Sequence, residues 1–129
     1  MFRIKYVFIF VHLSQSALVQ HAFEALKQVI EIASKSKKPT DQKALLDVIR
    51  PLQLLLTQVV EVREKNRASE FFNHLSVVSE GIPALGWVVV EPTPVPYIGE
   101  MKDAAQFYCN RVIKDYKEKY SKITTFHLF

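Results

Sequence analysis

Apolar side chains return every three or four residues along most of this chain, and each run ends at a proline, a glycine or a cluster of charge. From Ser14 onward, Val19, Ala22, Phe23, Leu26, Val29, Ile30 and Ala33 line one side of a predicted helix, with Gln20, Glu24, Lys27, Gln28 and Glu31 on the other. The run stops at Lys35-Ser36-Lys37-Lys38-Pro39, where cations suit the negative end of a helix and proline cannot continue it. A second helix should open with Thr40 as N-cap and Asp41 in the first turn. Its stripe of Leu45, Val48, Ile49, Leu52, Leu55, Leu56, Val59 and Val62 passes Pro51, whose missing N–H should bend the helix without ending it. Beyond Arg63-Glu64-Lys65-Asn66-Arg67, Ser69 is placed to cap a third helix that buries Phe71, Leu75, Val78, Ile82 and Leu85.

The texture changes after Gly86-Trp87. Val88-Val89-Val90 is β-branched, and Pro92, Pro94 and Pro96 impose an extended, stiff connector. A ligand for a proline-reading module would have prolines three apart, and no pair here has that spacing. A last helix carries Ile98, Met101, Ala105, Tyr108, Val112 and Tyr116 on one face. Trp87 and Tyr97 read as structural, pinning the connector to the bundle, and Tyr108 and Val112 as core.

The first residues stand apart. A basic start, the apolar run Tyr6 to Val11 and the stretch Ser14-Gln15-Ser16 have the form of a secretory signal, a reading that stands second to a core strand or a non-native N-terminal piece. The run is too short to span a bilayer, which takes about 20 such residues. The chain thus divides into an atypical apolar segment (1–12), a helical domain (13–118) and an irregular tail (119–129) whose apolar period is lost. With 129 residues, 49% of them hydrophobic, one domain with a real core is expected. The net charge of +4 favours acidic partners without requiring a nucleic acid. The single cysteine, Cys109, excludes an internal disulfide and points to a reducing compartment, the cytoplasm.

Chemistry is sparse. The three glycines, Gly81, Gly86 and Gly99, make no phosphate loop, and the four histidines are scattered. His21 and Glu24 share a helix face, but no matching ligands are in view, so the pair reads as solvated. Neither an enzyme, a metal site nor a cofactor is expected. What remains is a recognition surface: Arg63, Lys65, Asn66 and Arg67 as exposed contacts, with Asn73 and His74 beside them. For the same residues, capping and hydrogen bonding between helices is the structural alternative.

The strings Arg63-Glu64-Lys65-Asn66-Arg67, Phe72-Asn73-His74-Leu75-Ser76, Pro83-Ala84-Leu85-Gly86-Trp87, Pro96-Tyr97 and Asn110-Arg111-Val112 closely resemble the N-terminal helical folded domain of cyclase-associated proteins. The resemblance implies an all-α antiparallel bundle of six helices, of which about four are recognisable here. It implies a cytoplasmic regulator of the actin cytoskeleton whose domain engages cofilin-decorated actin and speeds filament disassembly. Contact with adenylyl cyclase is placed by the family in an N-terminal coiled segment with an Arg-Leu-Glu motif, which these residues do not contain, and monomer recycling in a separate C-terminal domain. Two departures stand out. Ala68 replaces a customary glycine, which would strain the turn if that position needs a positive φ. The first helix should precede Leu13, where Met1 to Val11 does not have its pattern, and a tryptophan-rich last helix should follow Lys119; apolar stripes left uncovered would favour self-association. The competing readings are a fragment without independent activity and a basic helical nucleic-acid binder.

Overall fold

Helices account for most of the described backbone. The computed structural model describes the backbone of residues 2–117 and the side chains of residues 9–117. In chain order these are α1 (Phe2–Lys35), α2 (Gln42–Lys65), α3 (Phe72–Gly81), a 3-10 segment (Ile82–Val89) and α4 (Val95–Tyr116). The connection 36–41 folds α2 back onto α1, while α3 packs against both α4 and α2. This is the expected all-α bundle. The irregular tail expected at 119–129 lies outside the described residues.

The largest difference from the sequence reading is at the start. Residues 2–11 continue α1 instead of forming a strand or a separate segment, and α1 runs unbroken through residue 13. A nearly uniform apolar run has no polar side to reveal a helical period. A strand needs a neighbour for its backbone groups, and a helix satisfies its own. Gln15, read as part of a small-residue stretch, is 2% exposed, and its Nε2 donates to the Leu75 carbonyl at 3.1 Å. That bond ties α1 to α3.

The core forms where small residues let helices close in. Ala22, Ala25 and Leu26 of α1 cluster with Leu52 of α2, and Leu55, Leu56, Leu85 and Val88 pack around them. Phe23 and Ile30, assigned to the α1 stripe, face outward instead. With Ala22 and Ala25 holding the contact, the buried face of α1 turns about the alanines and leaves the bulkier neighbours outside. α2 passes Pro51 without interruption, the ring being exposed while Ile49 and Leu52 are buried. Its N-cap is Asp41, not Thr40: the Asp41 carboxylate accepts from the Lys43 N–H at 3.1 Å.

α3 is shorter than its periodicity suggests. Ser69 Oγ accepts from the Phe71 N–H at 3.2 Å, so Ser69 closes the preceding turn and the helix begins at Phe72. After Gly81 the chain tightens into the 3-10 segment, as Pro83 has no N–H to donate to an α-helical ladder. Val88 and Val89 belong to that segment, so the extended connector shrinks to residues 90–94, and Pro96 sits in the first turn of α4. Leu75 and Ile82 are buried as expected, while Phe71, Val78 and Leu85 are half-buried. Tyr108 and Val112 are likewise half-buried, not core, and α4 buries no residue fully.

Two glycines mark close approaches. A Cβ on Gly81 would lie 3.3 Å from the Cβ of Ala105, where α3 meets α4. One on Gly86 would lie 3.1 Å from the Tyr97 hydroxyl. That hydroxyl donates to the Pro83 carbonyl at 2.7 Å, fastening the start of α4 to the 3-10 segment. Tyr97 therefore pins the connector, as its sequence context suggests. Tyr97→Phe is expected to cost about 1 kcal/mol of stability, read as a lower urea midpoint at unchanged slope.

Candidate functional site

The charged corner is built by the last turn of α2 and the turn 66–71. Arg63 does not reach out from it. Its side chain is 15% exposed, with one guanidinium nitrogen on Glu80 in the last turn of α3 and another 2.9 Å from Glu64. A half-buried guanidinium needs such partners, so Arg63 fastens the end of α2 to the end of α3. Burial works against its charge, but the hydrogen bonds to Glu80 and Glu64 outweigh this and hold the proton more tightly than usual. Glu64 in turn is pulled below the usual carboxylate range, first by the hydrogen bond from Arg67 and then by Arg63.

Asn66 is also spent on the fold. Its Nδ2 donates to the Val62 carbonyl at 2.7 Å and its backbone N–H to the Arg63 carbonyl at 3.0 Å, closing the C-terminus of α2. No residue, glycine included, has a positive φ among the described residues, so Ala68 completes the turn without the strain that a left-handed position would impose. Lys65 and Arg67 remain. Their side chains are 74% and 73% exposed, and each is ion-paired with one carboxylate, Glu61 and Glu64 respectively. These two are the outward cations of the corner.

Asn73 and His74 face other elements. Asn73 Nδ2 donates to Asp115 Oδ2 at 3.2 Å, joining the first turn of α3 to the last turn of α4. The His74 ring makes edge contacts with Phe71 at 5.6 Å, Tyr116 at 5.0 Å and His12 at 6.2 Å, gathering α1, α3 and α4 around one aromatic cluster. Burial lowers the pKa of both histidines; in His74 the neighbouring His12 adds to this and Asp115 opposes it. Of the six residues selected from sequence, then, Arg63, Asn66, Asn73 and His74 hold elements together, and Lys65 and Arg67 face solvent.

Several partners escaped the sequence reading. Glu80 lies 17 positions from Arg63 and Asp115 lies 42 from Asn73, separations at which no local pattern operates. One surface feature was legible from spacing: Arg111 stacks on Phe107 four residues earlier, 4.5 Å from the ring centroid, and Phe107 is 53% exposed. His21 and Glu24 are both exposed, Glu24 accepting from Gln20, and no three metal-ligating side chains converge among the described residues. Among the same residues no helix is long and apolar enough to cross a membrane.

Arg63→Ala should destabilise the fold by about 2 kcal/mol, because it strands Glu80, whereas Lys65→Ala and Arg67→Ala should stay within about 0.5 kcal/mol; urea titration distinguishes them. The histidines add a pH dependence. Their lowered values mean that the unfolded chain takes up protons before the folded chain does, so stability is present above the ordinary imidazole value of 6.5 and falls as pH drops below it. The urea midpoint is expected to fall between about pH 7.5 and about pH 5.5, and less so in His74→Gln.

Comparison with known proteins gives one consistent answer. The family described as "CAP, N-terminal domain" matches residues 11–127. The adenylyl cyclase-associated protein of Dictyostelium discoideum is 50% identical over 96 residues, covering 74% of this chain and 20% of the relative. That of Schizosaccharomyces pombe is 46% identical over 106 residues, covering 81% and 19%. Human adenylyl cyclase-associated protein 2 is 47% identical over 106 residues, covering 81% and 22%. The chain thus spans about a fifth of the length of these curated relatives. A solved N-terminal domain of CAP, whose crystal structure is described as indicating variable oligomerisation, superposes with a TM-score of 0.76 at 47% identity, covering 81% of this chain and 56% of that one. The N-terminal domain of the Dictyostelium discoideum protein gives the same score and identity, covering 81% and 59%. With a family match over most of its length, this chain belongs to the CAP N-terminal domain family.

Proposed function

We propose that this chain is a protein-binding helical module of the actin cytoskeleton, acting in the cytoplasm on cofilin-decorated actin to promote filament disassembly. The contact surface is the corner between α2 and α3, with Lys65 and Arg67 meeting the partner. One observation carries the reading: Arg63 and Asn66 consume their polar groups in fixing the corner, while Lys65 and Arg67 beside them, each paired with one carboxylate, stay about three-quarters exposed. A corner held in one conformation before the partner arrives loses little freedom on binding. Its cations attract an acidic surface and set the association rate and its salt dependence. Family membership supports the reading, and adenylyl cyclase, named by the relatives, is not assigned here as a partner of these residues.

A second reading keeps the fold but makes self-association its main property. Leu13, Phe23 and Ile30 on α1 are exposed apolar side chains, the kind of surface that a second copy could cover. Gel filtration at several concentrations reports it directly.

The partner reading is tested by cosedimentation of the purified chain with cofilin-decorated filaments. Lys65→Glu with Arg67→Glu is expected to weaken retention about tenfold or more while leaving the helical circular dichroism unchanged. Retention equal to that of the unaltered chain would remove these residues from the contact.

A further inference from the structure

The opposite end of α2 carries a feature that the partner reading does not use. Between the last turns of α1, the loop that follows it, the first turns of α2 and the end of the 3-10 segment lies a cavity of about 310 Å³. Its walls are aliphatic: Val29 and Ile32 from α1, Val48 and Ile49 from α2, Val88 and Val89 from the 3-10 segment. Ile49 is buried, so the floor is core, while Ile32 and Val89 are exposed at the mouth. Charge is confined to that mouth, where Lys37 and Lys38 face Glu91. Lys38 is ion-paired with Glu91 across 53 positions of sequence, and both side chains are mostly in water. An exposed pair of this kind opens readily.

We propose that this cavity binds an aliphatic carboxylate, its hydrocarbon chain on the valine and isoleucine walls and its carboxylate on Lys38 in place of Glu91. Size and charge together select that class. The volume is at the small end of ligand sites, which run from about 300 to 1,000 Å³, and admits one short chain but not a partner helix. Two ammonium groups against one carboxylate leave the mouth positive, so an anionic head is attracted and a cationic one repelled. Glu91, paired with Lys38, shows that a carboxylate can reach this ammonium group. The chain could come from a free fatty acid, which carries the carboxylate itself, or from an anionic membrane lipid, which shares the alkyl chain and presents a negatively charged head group to Lys38. Its α2 walls, Val48 and Ile49, lie about 25 Å along the helix from Lys65, reckoned at about 1.5 Å per residue, so the site stands or falls independently of the partner surface.

The whole 129-residue chain is titrated with sodium decanoate below its micelle-forming concentration, and the methyl resonances of Val48 and Val88 are followed by NMR, with decyltrimethylammonium as the oppositely charged control. Decanoate is expected to shift these methyls saturably, and the cation to bind roughly tenfold more weakly. Glu91→Gln, which frees Lys38, should tighten decanoate binding about two- to fivefold, and Lys38→Gln should weaken it by about as much. Both positions are exposed, and circular dichroism verifies the fold of each variant. Unmoved methyls, equal binding of the two head groups, or no gain in Glu91→Gln would each overturn the proposal. Cosedimentation with vesicles of phosphatidylcholine and phosphatidylserine then names the source: retention that Lys38→Gln abolishes assigns a lipid chain, and absence of retention assigns the free acid.

Discussion

A guanidinium placed where water reaches only part of it must find carboxylates, and Arg63 finds two. Its bonds to Glu80 and Glu64 join the ends of α2 and α3 and fix the direction in which the following turn leaves α2. Lys65 and Arg67 point outward because Arg63 points in. The corner therefore consists of an anchor and two exposed cations built from neighbouring residues of the same charge. Removing Arg63 costs stability, whereas Lys65 and Arg67 contribute little to it.

The rest of the bundle relies on similarly specific ties laid over a modest core. Gln15 reaches the Leu75 carbonyl from α1, Asn73 reaches Asp115 on α4, and Tyr97 reaches the Pro83 carbonyl. The first two join elements far apart in sequence, and the third fastens α4 to the 3-10 segment before it. α4, which buries no residue fully, depends on such contacts more than the other helices do. The close approach of Gly81 to Ala105 gives it a contact with α3 that a larger side chain at 81 would hold apart.

The fold was largely legible because helical period survives in any stretch with a polar side. It failed at residues 2–11, which lack one, and at Ile82, where Pro83 tightened the backbone while the apolar spacing ran on. Caps were misplaced by one or two residues, since Thr40 and Asp41, or Ser69 and its successors, compete for the same N–H groups. The candidate site was legible only as a location. Sequence identifies Arg63, Lys65 and Arg67 as equivalent cations, and the difference among them is created by Glu80, which arrives from another helix. Asn73 and His74 were drawn into the site by their place in an unusual string, and the structure shows them serving α4 and the aromatic cluster instead.

The anchoring role of Arg63 is most directly tested by a double-mutant cycle with Glu80, measured by urea unfolding of Arg63→Ala, Glu80→Ala and the pair. The account predicts a coupling of about 1 to 3 kcal/mol, the double substitution costing clearly less than the two single ones added together. Additivity to within about 0.3 kcal/mol would contradict it, for then the two side chains would not hold the corner between them.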